Sequence, residues 1–381
     1  MLVLGLVAPT WGAFLPLPRL PGTKQNVAVY TSEVCVQHDP GPQHPECPAR
    51  LQRLRQALRE DWLPEFGEHL LVCEPDIDVT REQLLRVHTQ KHVKRVQGAF
   101  SQAQVAGLVG ARLPLDADTL VSGGTGAAAS RAAGLVIAAV DDVLGGQMKT
   151  APLPGGKKLF DDRSARKVKQ GTGSMVTLPT VDSRPRRAFV MARPPGHHAE
   201  AESAQGFCFF NNVMVGVAHA QQVYGLKRVA VLDFDVHHGN GDSDITLADP
   251  GWLYVSSHET PNFPYTGETP GRTGEHRNVV NSPLPPNAGS GEFRRAWREQ
   301  LLPAVRSFRP EAIFLSSGFD AHANDPLSSI QLTDADYEWL TAEVAGIGGG
   351  NLPIISVLEG GYNVEQLVKS VRVHVKTLTC A

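Results

Sequence analysis

The chain has 381 residues, 41% of them hydrophobic and 20% charged, enough for one large α/β domain or two smaller ones. A formal charge of −3 gives no general case for nucleic acid binding, which usually shows as a strongly basic domain or stripe. Five cysteines without a C-x-x-C pair argue against a disulfide framework and read as reduced thiols of an intracellular protein.

Residues 1–25 are apolar but broken by Pro9, Pro16 and Pro18, too short and interrupted to span a membrane. They lack the positively charged start of a secretory signal. No Asp or Glu precedes Glu33, as in organelle transit peptides, yet only Arg19 and Lys24 are basic there. The compartment stays open between nucleus, cytoplasm and an organelle such as the chloroplast or mitochondrion. From residue 26 onward, apolar runs alternate with helical stretches. The pattern predicts strands at 26–32, 187–192, 228–235, 252–258, 312–320 and 354–362, and helices at 47–60 and 291–308. Several strands are continuously apolar, which suits a parallel sheet covered on both faces, and so a doubly wound α/β fold. Residues 147–186, rich in Lys, Arg, Gly and Pro, break the rhythm and read as a basic, solvated loop insertion.

Polar residues gather where the predicted strands end: Asp235, His237, His258, Asp320, Glu359 and Tyr362. In open parallel sheets the ligand site lies outside the carboxyl ends of the strands. In "VAVLDFDVHHGNG", residues 229–241, Asp233 and Asp235 interrupt a core strand. Desolvating a carboxylate costs several kcal/mol unless something positive pairs with it. Asp235 and His237, two apart, are expected to share one face of the strand and offer two ligands to a metal such as zinc. Asp320, closing another strand, is the best third ligand. Two Asp and one His leave a coordination position free, as in a catalytic zinc site. A D-x-D or H-H in isolation is usually only a loop feature. A second cluster changes that balance: His197 and His198 follow a Pro-Pro-Gly turn, where one can serve as general base and acid and the other can be tuned by a carboxylate. "GFCFFNN" (206–212) supplies small and aromatic walls, and Tyr362 follows a Gly-Gly turn that lets a phenol reach a developing oxyanion.

"HDPGPQHPECPARL", "RPPGHHAE", "GFCFFNN", "DFDVHHGNG", "SSGFDAHANDPL" and "LEGGY" stand in an order and spacing that resemble the zinc-dependent histone deacetylase family, its class II branch and the bacterial and organellar amidohydrolases close to it. The resemblance covers roughly residues 26–378 apart from the basic insertion. It implies an arginase/deacetylase-type three-layer fold, a central parallel sheet with helices on both faces, and a catalytic domain over 26–381. It implies hydrolysis of N6-acetyl-lysine, with one zinc on Asp235, His237 and Asp320, His198 as general base and acid, His197 as its electrostatic partner and Tyr362 polarising the carbonyl. Asp233 would pair with His197 and help hold a structural potassium ion, with Ser256, Ser257 and the backbone of Asp235 and His237. Phe207 and Phe263 would line a narrow acyl-lysine tunnel, with Gly206 allowing close approach. Asp118, or Asp116 if the alignment slips by two, would hold the substrate backbone at the rim. The partner is an acetylated protein or peptide; no nucleic acid or membrane partner is expected.

Departures from the family pattern carry information. Asn240 stands where some members have Asp, and an amide orients His198 without balancing a positive imidazole. Leu327 occupies the tunnel-mouth position where polyamine-preferring relatives carry an acidic residue. Cys47 replaces an expected Arg while Arg50 is kept, with consequences for an internal acetate channel. The rival readings are a deacetylase of small N-acetylated amines such as polyamines, a non-catalytic acetyl-lysine reader, and, more remotely, an arginase-like dinuclear manganese enzyme.

Overall fold

The structure, a computed structural model, describes residues 25–106, 111–145, 167–169, 175–177 and 185–380. The 1–25 extension, save Gln25, and most of the 147–186 insertion lie outside the described residues. What is described of the insertion includes a short antiparallel pair, Lys167–Lys169 with Met175–Thr177.

Nine strands form one sheet: β1 (Val27–Tyr30), β2 (Leu70–Cys73), β3 (Arg187–Val190), β4 (Val229–Asp233), β5 (Trp252–Glu259), β6 (Gly271–Thr273), β7 (Val279–Leu284), β8 (Ala312–Ser317) and β9 (Ile354–Leu358). Their order is β6-β7-β5-β4-β8-β9-β3-β1-β2, and every pairing is parallel except β6 with β7. The six expected strands are present; five end sooner, among them β4 at Asp233, β8 at Ser317 and β9 at Leu358, while β5 runs one residue further, to Glu259. Both expected helices form, one as α1 (Pro48–Ala57) with a π-helical extension to Trp62, the other as a helical run from Ser290 to Phe308. β2, β6 and β7 were not expected. β7 contains Pro283, which lies beyond the stretch paired with β6, where a missing N–H breaks no ladder on that side.

Helices cover both faces. They include α2 (Gln90–Ala106), the alanine-rich α3 (Thr125–Leu144), α4 (Asn212–Tyr224), α5 (Asn240–Thr246), α6 (Asp334–Ala345) and α7 (Val364–Cys380). Strand alternation separates the layers. Tyr30, in register with Val190, reaches Asp142 of α3 through its hydroxyl at 2.7 Å. Phe189, one residue along, stacks edge-on against His374 of α7, and Arg187 donates to the Leu378 carbonyl at 2.7 Å. α3 and α7 therefore lie on opposite faces, which is the three-layer architecture expected. Among the described residues no helix is long and apolar enough to cross a membrane, and no disulfide joins any of the five cysteines.

This order has one consequence for chemistry. β4, β8, β9 and β3 are consecutive neighbours and all run the same way, so the loops leaving their carboxyl ends open onto a single cleft.

Candidate active site

The loop after β4 brings Asp235 and His237 to the cleft, and the loop after β8 brings Asp320. Asp235 and His237 lie beyond the strand end, so a turn and not the strand pleat puts them together: the backbone N–H of His237 donates to Asp235 Oδ1 at 2.9 Å. His237 Nδ1 stands 3.1 Å from Asp235 Oδ1 and 3.2 Å from Asp320 Oδ2. Ligand atoms of the three residues all lie within 4.8 Å of one another. Their other oxygens are engaged, Asp235 Oδ2 by the Gly360 N–H at 2.8 Å and Asp320 Oδ1 by the Val236 N–H at 2.9 Å. Asp320 Oδ2 is buried and accepts no backbone hydrogen bond; it faces the His237 imidazole. Burial would lower the His237 pKa, but bonding to Asp235 and Asp320 lifts it to about 10. Burial and then the Asp235 charge raise Asp320 to about 7. Two buried carboxylates converging on one imidazole nitrogen, which has at most one proton to give them, fit a divalent cation with N and O ligands.

Glycine keeps this pocket open. A Cβ on Gly360 would overlap Asp320 Oδ2 and come 2.5 Å from Asp235 Oδ2. Gly360→Ala is expected to weaken zinc binding about 10- to 100-fold, the usual cost of displacing a ligand through its supporting residue. Titration against a fluorescent chelator measures this, and unchanged affinity would contradict the assignment of the pocket.

The loop after β3 delivers the histidine pair. Glu359, at the end of β9, accepts from the backbone N–H groups of Gly196 and His197 at 2.7 and 3.1 Å and so fixes the turn. His197 Nδ1 lies 3.3 Å from Asp233 Oδ2, and its Nε2 lies 3.8 Å from Asp235 Oδ1. Burial opposes its charge, yet Asp235 and Asp233 outweigh burial and hold its pKa well above the ordinary value. His198 goes the other way: burial first, then the charges of His197 and His237, keep it well below the ordinary value. The two neighbouring histidines are thus driven in opposite directions, the kind of separation that can divide acid and base roles between adjacent groups. His198 Nδ1 faces Asn240 Oδ1 at 2.8 Å.

The sequence reading missed Tyr254, whose hydroxyl donates to Asp233 Oδ2 at 2.8 Å and accepts from the Gly239 N–H at 3.0 Å. In an apolar strand it reads as core. Asp233 pairs in register with Ser256. Ser256 Oγ meets His258 Nδ1 at 2.9 Å, and Ser257 Oγ accepts from Trp297 Nε1 at 2.9 Å.

Two aromatic rings pack against the residues of the cleft. Phe263 packs on His198 and His237 with ring centres 5.0 and 6.3 Å apart, while Phe207 packs on Tyr362 and His44 at 5.9 and 4.6 Å. His44 was also missed. Gly206 has φ +56°, and a Cβ there would lie 2.5 Å from the His198 ring and 2.8 Å from Phe263, so only glycine suits both backbone and space. Tyr362 rests under the Arg50 guanidinium at 4.9 Å, and its N–H donates to Asp325 Oδ2 at 2.6 Å. Arg50 in turn donates to the carbonyls of Gly361 and Glu359 at 2.6 and 2.5 Å, which clamps the Gly-Gly turn. Burial, then the Asp320 charge, pushes the Tyr362 phenol well above its usual pKa, so it stays a donor.

At the rim, Asp116 spends Oδ1 on the backbone N–H groups of Asp118 and Thr119, at 3.1 and 2.6 Å, capping its own turn. Asp118 accepts from Thr119 Oγ1 at 3.2 Å, and that hydroxyl accepts from Phe207 N–H at 3.0 Å, which couples the rim to the aromatic wall. Leu327 lies in the loop beyond Asp320, its N–H on Asp325 Oδ1 at 3.1 Å.

Comparison with known proteins agrees with this geometry. Residues 44–378 match the histone deacetylase domain family. The chain is 31% identical over 365 residues to "Histone deacetylase 14, chloroplastic" of Arabidopsis thaliana, covering 93% of this chain and 78% of that one. It is 30% identical over 337 residues to a "Probable deacetylase" of Archaeoglobus fulgidus, covering 87% and 80%. The solved structure of the HDA15 HD domain superposes with a TM-score of 0.73 at 28% identity, over 92% of this chain and 90% of that one. A nine-stranded sheet of this order, an Asp-His-Asp cluster at its strand ends and a family match across most of the sequence agree: the chain belongs to the histone deacetylase family and is a metal-dependent amide hydrolase of that type.

Proposed function

We propose that the protein is a lysine deacetylase, hydrolysing N6-acetyl-lysine in proteins or peptides to lysine and acetate, with Asp235, His237 and Asp320 holding one zinc ion. When bound, zinc supplies Lewis acidity toward a carbonyl oxygen and toward water. His198, neutral and with Nδ1 turned to Asn240, takes the proton of the attacking water at Nε2 and returns it to the leaving amine. His197, paired with Asp233, stays charged beside it. Tyr362 donates to the developing oxyanion. Phe207 and Phe263 grip the lysine methylenes, Gly206 lets the stem approach, and Asp118 accepts from the substrate backbone. Asp233, Ser256 and Ser257 with the backbone of Asp235 and His237 are the site for a structural potassium ion. Residues 26–381 are the catalytic domain and 1–25 an extension. Its lack of acidic residues and the chloroplastic name of the Arabidopsis relative favour an organelle.

The observation that carries this reading is the buried Asp235, His237 and Asp320 cluster, two carboxylates on one imidazole nitrogen, in one cleft with His198 and the Tyr362 phenol. Leu327 favours acetyl-lysine over cationic polyamines, since an apolar mouth offers an ammonium no partner. The test is acetate release by zinc-loaded protein from an acetyl-lysine peptide, run beside N-acetylated polyamines. Peptide turnover at least tenfold above polyamine turnover is expected. Polyamine turnover alone transfers the activity to small amines, and zinc bound without turnover of either overturns the enzymatic reading.

A further inference from the structure

A neutral imidazole can be a base at Nε2 only if its proton sits on Nδ1. Asn240, the partner of His198 Nδ1, does not decide this by itself: its side chain has one accepting and one donating end, and either can face an imidazole. Something must orient the amide. In the loop that carries the histidine pair, Glu200 Oε1 accepts from Asn240 Nδ2 at 2.7 Å, while Asn240 Oδ1 lies 2.8 Å from His198 Nδ1. We propose that Glu200 is a positioning residue that fixes the His198 proton on Nδ1 by fixing the orientation of Asn240. This rests on the reading of His198 as the base.

The chain of logic runs through donors and acceptors alone. A carboxylate only accepts, so Asn240 must turn its NH2 toward Glu200. That leaves the amide oxygen for His198. An amide oxygen only accepts, so the imidazole must carry its proton on Nδ1, and the Nε2 lone pair faces the cleft. A weaker contact acts in the same sense, Asn240 Nδ2 to the His198 carbonyl at 3.5 Å. Glu200 is itself held, its N–H on the Ser203 carbonyl at 2.9 Å and its carbonyl 3.0 Å from His88 Nδ1. Without the carboxylate, Asn240 can turn over, present NH2 to His198, and move the imidazole proton to Nε2, where it blocks proton uptake. An Asp at position 240 would need no orienting group, because both its ends accept. Asn at this position thus requires a second residue, and Glu200 supplies it.

The test is a double-mutant cycle on the zinc-loaded full chain, read by acetyl-lysine turnover and by 15N spectra of histidine-labelled protein, with His198 assigned through its loss in His198→Asn. Wild type is expected to show His198 protonated at Nδ1. Glu200→Leu is expected to mix the tautomers and lower kcat about fivefold, with KM within about twofold, the loss of one charge-assisted hydrogen bond acting through orientation. Glu200→Gln, which keeps an acceptor, is expected to restore most of that loss. In the Asn240→Asp background, where the new carboxylate would face Glu200 with no proton between them, Glu200→Leu is expected to leave the tautomer unmoved and not to lower kcat. An equal loss in both backgrounds, or an Nδ1–H signal unmoved by Glu200→Leu, overturns the proposal. The spectra test it even if acetyl-lysine proves not to be the substrate.

Discussion

Replacing Tyr362 by phenylalanine is expected to lower kcat on an acetyl-lysine peptide by about 100- to 1000-fold, the usual cost of removing one oxyanion donor. The substitution deletes a single oxygen. The ring keeps its edge contact with Phe207 and its place under Arg50, and the backbone N–H keeps Asp325. Among the described residues the Tyr362 hydroxyl has no hydrogen-bond partner, so its removal leaves nothing else unsatisfied. Thermal stability and zinc content are therefore expected to match wild type, with the loss confined to kcat. A donor that acts only as the carbonyl oxygen gains charge lowers kcat and kcat/KM together and leaves KM nearly still. A loss below about fivefold would remove Tyr362 from the reaction. A loss accompanied by released zinc would reassign it to holding the Gly360 turn.

The residues proposed to carry the chemistry were legible in the sequence because parallel strands end in chemistry. Asp235, His237, Asp320 and Tyr362 all follow apolar runs, and a polar residue at the end of a buried run has few structural excuses. The residues that orient them were less legible, each for its own reason. Tyr254 contributes one hydroxyl from a strand that looks like core. Glu200 and Asn240 are 40 residues apart, and no local pattern joins an acceptor to the amide it orients. The pairing of Asp235 with His237 was foreseen through the two-residue period of a strand, but the strand stops at Asp233 and a turn does the work. In the sheet, β2 and β6 are too short to rise above their surroundings, and β7 hides behind Asn281, Ser282 and Pro283. β2 and β6 are the two edges of the sheet and β7 lies beside β6, all outside the β4, β8, β9 and β3 group that forms the cleft, so missing them cost the site nothing.

Acid is expected to unfold this protein well before its carboxylates alone would, through two buried histidines outside the Asp235, His237 and Asp320 cluster. His88 accepts from the Asn211 N–H at Nε2, 2.9 Å away, while its Nδ1 lies 3.0 Å from the Glu200 carbonyl; one proton fits and a second has no place. His374, fully buried, stands between Thr341 Oγ1 at 2.7 Å and Ser356 Oγ at 2.8 Å. Thr341 already donates to the Tyr337 carbonyl, so it accepts from His374 Nδ1, and Nε2 is left to the serine. Burial lowers both histidines to about 3, with His92 adding to the effect at His88. The unfolded chain binds these protons from about pH 6.5 downward, whereas the folded chain refuses them until about pH 3. Stability is thus full above pH 6.5 and falls as the pH drops toward 3, by about 1.4 kcal/mol per unit for each histidine. At pH 4.5 the pair costs about 5 kcal/mol, comparable with the whole stability of a typical domain. Urea unfolding from pH 7.5 to 4.5 measures the slope. His88→Gln and His374→Gln lower stability at neutral pH, since each disturbs a packed hydrogen bond, yet each should flatten the acid limb by about 1.4 kcal/mol per unit. If both variants lose stability with acid as steeply as wild type, the buried neutral histidines are not its cause.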